Sequence, residues 1–182
     1  MPSPAVTVAY TYPYGVDCAS AQFCVAAGSN FDASTNGEDS VLAAYEGSAW
    51  HAVAPPDAAS TDGLRAVHCG SASFCAAVGA NVALGAATLI DEWDGTSWTV
   101  ATSPNPSGNS ALYGVSCLND GFCMAVGAYN LVSTPAGAIS QTLIEERGAE
   151  PAAGVPEAPA VPILVLVGAV FAYGSYRLAR LR

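Results

Sequence analysis

The sequence contains no lysine, and charged residues occupy only 11% of its 182 positions. Its surface must therefore present Ser, Thr, Asn and Gly. Five arginines stand against fifteen Asp and Glu, for a formal net charge of −10. Three of the arginines (Arg177, Arg180 and Arg182) fall in the last six residues, which leaves residues 1–176 at −13. A body this acidic repels a phosphate backbone, so no nucleic acid is expected as partner. Long helical runs are also missing before the C-terminal tail, because Gly, Pro and β-branched residues interrupt every apolar stretch. The start, "MPSPAVTVAYTYPYG", has neither the basic beginning nor the apolar core of a signal peptide. No Gly-x-Ser-x-Gly elbow, His-Glu-x-x-His pair or phosphate-cradling Gly loop is present.

What the chain does have is a repeat. "GVDCASAQFCVAAG" (15–28), "AVHCGSASFCAAVG" (66–79) and "GVSCLNDGFCMAVG" (114–127) spell one unit three times. Their first cysteines stand at 18, 69 and 117, giving spacings of 51 and 48. Phe23, Phe74 and Phe122 each precede the second cysteine, and Gly28, Gly79 and Gly127 each follow it by four. Further on, "YEGSAW" (45–50) matches "WDGTSW" (93–98), and "TLIEERG" (142–148) matches "TLIDEWDG" (88–95). The third copy then stops without its second aromatic strand.

Each copy reads as four short strands; in the second they are "LRAVHC", "FCAAVGA", "ATLIDEW" and "SWTVAT". Glu46-Gly47 and Asp94-Gly95 sit where a tight turn between the third and fourth strands needs a residue that accepts positive φ. Four strands in about 50 residues is the size of a propeller blade. The expected fold is all-β: a partial or small β-propeller-like array of about three four-stranded antiparallel blades over residues 1–148, with repeats at about 14–60, 64–108 and 112–148. A β-solenoid is the alternative, although its rungs are usually shorter. Three blades are fewer than the four to eight that usually close a ring. "AVTVAY" (5–10) resembles "SWTVAT", so it can supply the missing strand within one chain, or by exchange in a homodimer of six blades. "MPSPAV" also resembles the linker "TSPNPS" (102–107), which suggests a preceding blade upstream.

The pattern Gly-Val-Ser-Cys, Cys-x-Ala-Val-Gly and Trp-Asp-Gly-Thr-Ser-Trp resembles tandem repeats of secreted actinobacterial proteins with predicted β-propeller folds. The resemblance spans residues 14–148 and implies fold and export, without assigning catalytic residues.

Cys-x5-Cys at the neck of a hairpin puts two thiols on neighbouring strands, and the repeat symmetry selects Cys18–Cys24, Cys69–Cys75 and Cys117–Cys123 as disulfides. The alternatives are six buried thiols or a zinc site, although only His68 lies beside a cysteine. No metal or other cofactor is expected. Disulfides need an oxidising compartment.

The chain ends with a Pro/Ala/Gly linker (149–160) and an apolar segment with an Arg-rich end (161–182). From Ala158 to Tyr176 no residue is charged, a length that crosses a bilayer as a transmembrane helix, with the arginines on the cytoplasmic side. The repeat domain is then extracellular, at the cell membrane or cell surface. Val155, Pro156, Glu157 and Pro159, with Ala158 inserted, followed by an apolar helix and arginines, resemble a PEP-CTERM sorting tail. That resemblance implies processing by an exosortase-like membrane enzyme.

Candidate chemistry is sparse. His51 is replaced by Thr99 one copy on, and His68 by Asp17 and Ser116, so both read as surface or loop positions rather than catalytic groups. Asp91, Glu92 and Asp94 raise Ca²⁺ binding or paired carboxylates, yet copy one carries Ala43 and Ala44 at the first two places. "DGTSW" is one residue short of the Asp-box hairpin, itself a structural motif. Tyr45, Trp50, Trp93 and Trp98 recur in step with the repeat, either as packing between blades or as an aromatic rim that stacks on sugars. The expected function is a noncatalytic, surface-anchored module that binds or displays polysaccharide or a surface protein. The alternative is a fragment of an extracellular propeller hydrolase such as a glycosidase.

Overall fold

Each copy of the repeat folds as one antiparallel sheet. The computed structural model describes residues 11–32, 37–56, 62–81, 87–105, 109–118, 121–134, 137–148 and 177–179. The first sheet contains β1 (Thr11–Ser20), β2 (Phe23–Asp32), β3 (Gly37–Glu46) and β4 (Trp50–Val53), in that spatial order. The second repeats the pattern with β5 (Asp62–Ser71), β6 (Phe74–Asn81), β7 (Ala87–Trp93) and β8 (Trp98–Val100). The third has β9 (Ser110–Leu118), β10 (Phe122–Thr134) and β11 (Gly137–Arg147), with β12 (Arg177–Ala179) on the outer edge of β11.

Turn chemistry sets these meanders. Gly47 and Gly95 adopt φ of +75° and +95°, as a tight turn with no Cβ allows. Beside them the Glu46 N–H donates to the Ala49 carbonyl at 3.3 Å, and the Asp94 N–H to the Ser97 carbonyl at 3.2 Å. The Asp94 carboxylate accepts from the Thr96 hydroxyl at 2.7 Å and from the Thr96 and Ser97 N–H groups at 2.8 Å each. Those bonds, the Thr96 hydroxyl foremost, lower its pKa to about 2. The "DGTSW" carboxylate therefore organises a turn.

All three expected disulfides form, Cys18–Cys24, Cys69–Cys75 and Cys117–Cys123, and no free cysteine remains among the described residues. Each joins directly opposed residues of a hairpin, with Cα atoms 3.9 to 4.0 Å apart. This is nearer the closely spaced pair of an antiparallel ladder than the wide one. Such bonds belong to an oxidising, extracytoplasmic environment. The repeated glycines have an equally local cause. A Cβ on Gly28, Gly79 or Gly127 would collide with the backbone carbonyl of Tyr12, Gly63 or Ala111 on the partner strand.

Apolar side chains leave both faces of each sheet, so the sheets stack like blades. Val25, Ala27 and Leu42 of the first meet Leu64, Val67 and Leu89 of the second. Val78 and Ile90 of the second meet Leu112, Ala125 and Leu143 of the third. Among the described residues no buried cluster joins the third sheet to the first, so the blades form an open arc. The first strands β1, β5 and β9 pack side by side along its inner edge.

The C-terminus departs from expectation. Among the described residues no helix is long and apolar enough to cross a membrane. Of the helix expected over 161–182, only Arg177–Ala179 is described, and it is a strand. It pairs antiparallel with β11 (Ile144↔Ala179, Glu145↔Leu178, Glu146↔Arg177), the place that β8 holds beside β7. The absent fourth strand of the third copy is thus supplied from the tail; an open strand edge accepts any extended segment that reaches it. Residues 5–10, the linker 149–160 and the sorting motif Val155, Pro156, Glu157 and Pro159 lie outside the described residues.

Candidate functional site

The inner edge carries one irregularity three times. Between Pro13↔Gly28 and Gly15↔Ala27 the ladder of β1 with β2 skips Tyr14. The same skip leaves out Arg65 between Leu64↔Gly79 and Ala66↔Val78, and Tyr113 between Leu112↔Gly127 and Gly114↔Val126. A bulge of this kind turns the extra side chain out of the two packed faces. Because β1, β5 and β9 adjoin, Tyr14, Arg65 and Tyr113 stand in a row.

Tyr14 and Tyr113 are 49% and 52% exposed, and Tyr12 stacks beside Tyr14 with ring centroids 6.5 Å apart. The Arg65 guanidinium lies 4.8 Å from the Tyr14 ring centroid and donates to the Glu38 carboxylate at 2.7 Å. Glu38 comes from β3 of the first blade and compensates the positive charge. Three adjoining strands thus carry, at one repeat position, two exposed aromatic rings and a donor-rich, charge-balanced guanidinium that lies over the first of them. The row suits a ligand with apolar faces and many hydroxyl groups.

Hydrogen bonds fix the strands that bear this row. Asp17 Oδ2 accepts from the Cys69 N–H at 2.8 Å, and His68 Nδ1 accepts from the Cys117 N–H at 3.2 Å. Asp17 and His68 occupy one repeat position, each holding the next blade at its first cysteine. His68 Nε2 also lies 3.7 Å from Asp17 Oδ2. His68 is therefore a connector between blades; His51 lies 3.7 Å from Glu46 on the exposed outer hairpin.

The expected aromatic rim lies on the other side of the blades. Tyr45 and Trp50 face each other across β3 and β4, with centroids 5.7 Å apart, and Trp93 and Trp98 across β7 and β8 at 5.9 Å. Trp93 and Trp98 pack against the core between the first two blades, and Trp93 Nε1 donates to the Ala72 carbonyl at 3.1 Å. The Tyr45 hydroxyl donates to the Gly47 carbonyl at 2.9 Å. These pairs are half-buried clamps on their hairpins.

The acidic cluster is dispersed. Asp91 is buried, Glu92 pairs with Arg147 of the next blade at 2.7 Å, and Asp94 is held in its turn. Among the described residues no group of three His, Cys, Asp or Glu is placed to hold a metal.

One polar cluster escaped the sequence reading. Buried Glu145 accepts from the Ser103 hydroxyl at 3.0 and 2.8 Å, and Ser103 Oγ contacts Thr88 Oγ1. Asn105 Oδ1 accepts from both the N–H and the hydroxyl of Thr88, each at 2.7 Å. Burial pushes the Glu145 pKa up to about 7, against the opposing Ser103 hydrogen bond. The cluster ties the linker after β8 into the junction of blades two and three. Glu145 has no exposed surface with which to meet a substrate.

The bulge row left a trace in the sequence: Leu64 and Val67 lie three apart yet enter the same core, which breaks the period of two. No family model, curated protein or solved structure matches the chain.

Proposed function

We propose that the chain is a noncatalytic module for binding or display at the outer cell surface, and that Tyr14, Arg65 and Tyr113 contact a polysaccharide. The observation that carries this reading is the threefold bulge, which places two exposed tyrosines and a charge-balanced arginine on adjoining strands. Sugar rings stack their C–H faces on such aromatics while a guanidinium donates to hydroxyl oxygens. The acidic composition favours neutral glycans over polyanions.

The uncharged run Ala158–Tyr176 and the Val155-to-Pro159 motif support membrane anchoring and exosortase-like processing. For one chain, anchoring with the arginines in the cytoplasm excludes the β12 pairing. In this reading the anchored chain leaves the β11 edge open.

A glycan array probed with the full chain in detergent tests the reading. Binding to a neutral polysaccharide is expected, with about a tenfold loss in affinity for Tyr14→Ala or Tyr113→Ala, the scale of one lost stacking contact. Equal binding by both variants overturns the site. Release of reducing ends from the bound glycan would favour the hydrolase instead.

A further inference from the structure

The two ends of the arc match each other. At each internal junction, the forward face of one blade buries a residue at one repeat position against the backward face of the next. Ala27 of the first blade and Val78 of the second are that forward residue, both buried; their counterpart on the third blade, Val126, is 47% exposed. On backward faces, Val67 is buried and Val115 packs at the junction of blades two and three, whereas Val16 of the first blade is 63% exposed. The polar device repeats as well. Asp17 and His68 accept the N–H of the next blade's first cysteine, and Ser116 stands at that position on the free forward face. Phe74, buried under the Arg147 guanidinium of the next blade, has its counterpart in the exposed Phe122.

We propose that the forward face of blade three docks on the backward face of blade one of a second copy of this chain, and that two copies close a ring of six blades. The contact continues the junctions already formed within the chain, with Val126 meeting the partner's Val16 as Val78 meets Val115. The number follows from closure. A head-to-tail contact makes a ring only if its rotation closes. Rings hold about four to eight blades, and six is the one multiple of three in that range. Neither end depends on the glycan row, so this inference stands apart from the proposed function.

The test is the mass of the full chain in detergent, by light scattering and native mass spectrometry, for wild type, Val16→Asp, Val126→Arg and the double variant. The expected result is two copies for wild type and loss of the dimer in each single variant. The double variant regains it, because Asp then faces Arg across both junctions. Both positions are exposed in the single chain, and unchanged circular dichroism establishes that each variant folds. A wild type of one copy at tens of micromolar overturns the proposal. So does a dimer that survives Val16→Asp, which would mean like faces meeting. Masses growing beyond two copies overturn the closed ring, and a further blade or another segment of the chain covering the faces would show as a single copy insensitive to both substitutions.

Discussion

His68 Nδ1 accepts the backbone N–H of Cys117 at 3.2 Å, as Asp17 one repeat earlier accepts that of Cys69 at 2.8 Å. An aspartate and a histidine thus perform one task, because what the position requires is an acceptor of the right reach. The chain is held from blade to blade along its inner strands by this device, and Tyr14, Arg65 and Tyr113, which those strands carry, depend on it for their spacing.

His68→Leu removes the acceptor and leaves the Cys117 N–H without this bond, a loss of about 1 kcal/mol. A melting temperature lower by roughly 2–4 °C is the expected readout for a chain of this size. His68→Asn keeps a short acceptor and should recover most of that shift. Equal melting of the Leu variant and wild type would show that the bond contributes nothing.

Gly79 tests the close approach at the bulge. Any Cβ there meets the Gly63 carbonyl, which belongs to the backbone and cannot swing away. Gly79→Ala should cost about 3 kcal/mol, near the top of the usual range for overpacking, measured by urea denaturation. Gly121 lies in a hairpin turn with open space around it. Gly121→Ala is the control and should leave the midpoint nearly unchanged.

Much of this was legible because it is written locally and three times over. The cysteine spacing, the turn glycines and the aromatic pairs each concern residues within one hairpin, and repetition separates them from chance. The row Tyr14, Arg65 and Tyr113 was obscured because a bulge shifts the register by one, and the period-two reading assigns those side chains to a packed face. The role of His68 is hidden in the sequence because its identity changes between copies, although its acceptor role persists in Asp17. The fourth strand of blade three comes from residues 177–179, which begin thirty positions beyond the end of β11. No local pattern announces a strand recruited from so far.

The three disulfides should differ in how readily they are reduced. Cys75 and Cys123 are fully buried and Cys69 and Cys117 nearly so, whereas Cys18 lies exposed at the open end of the arc. Under limiting reductant, alkylation and peptide mapping should find Cys18–Cys24 opened first. Replacing Cys69 and Cys75 together by Ala should cost about 2 kcal/mol from the short loop closed, plus the packing lost between blades one and two. Labelling of all six cysteines without reductant would contradict the disulfides themselves.

Glu145 makes stability depend on pH in a direction opposite to most carboxylates. Its folded pKa of about 7 lies above the usual value near 4.5, so the native state holds a proton that the unfolded chain releases. Its contribution is fully present below pH 4.5 and is lost as pH rises through 7, by the linkage between bound protons and folding. A shift of that size corresponds to roughly 3 kcal/mol between the two limits. Asp94 acts in the other sense, stabilising above its usual range and ceasing to as pH falls toward 2. The two effects occupy separate windows, so denaturation at pH 5 and pH 8 isolates Glu145. Glu145→Gln keeps a neutral group that still accepts from Ser103, and should melt higher than wild type at pH 8 while matching it at pH 5. Parallel pH profiles for the two proteins would show that Glu145 is ionised in its buried site, with its charge compensated by the surrounding hydroxyls.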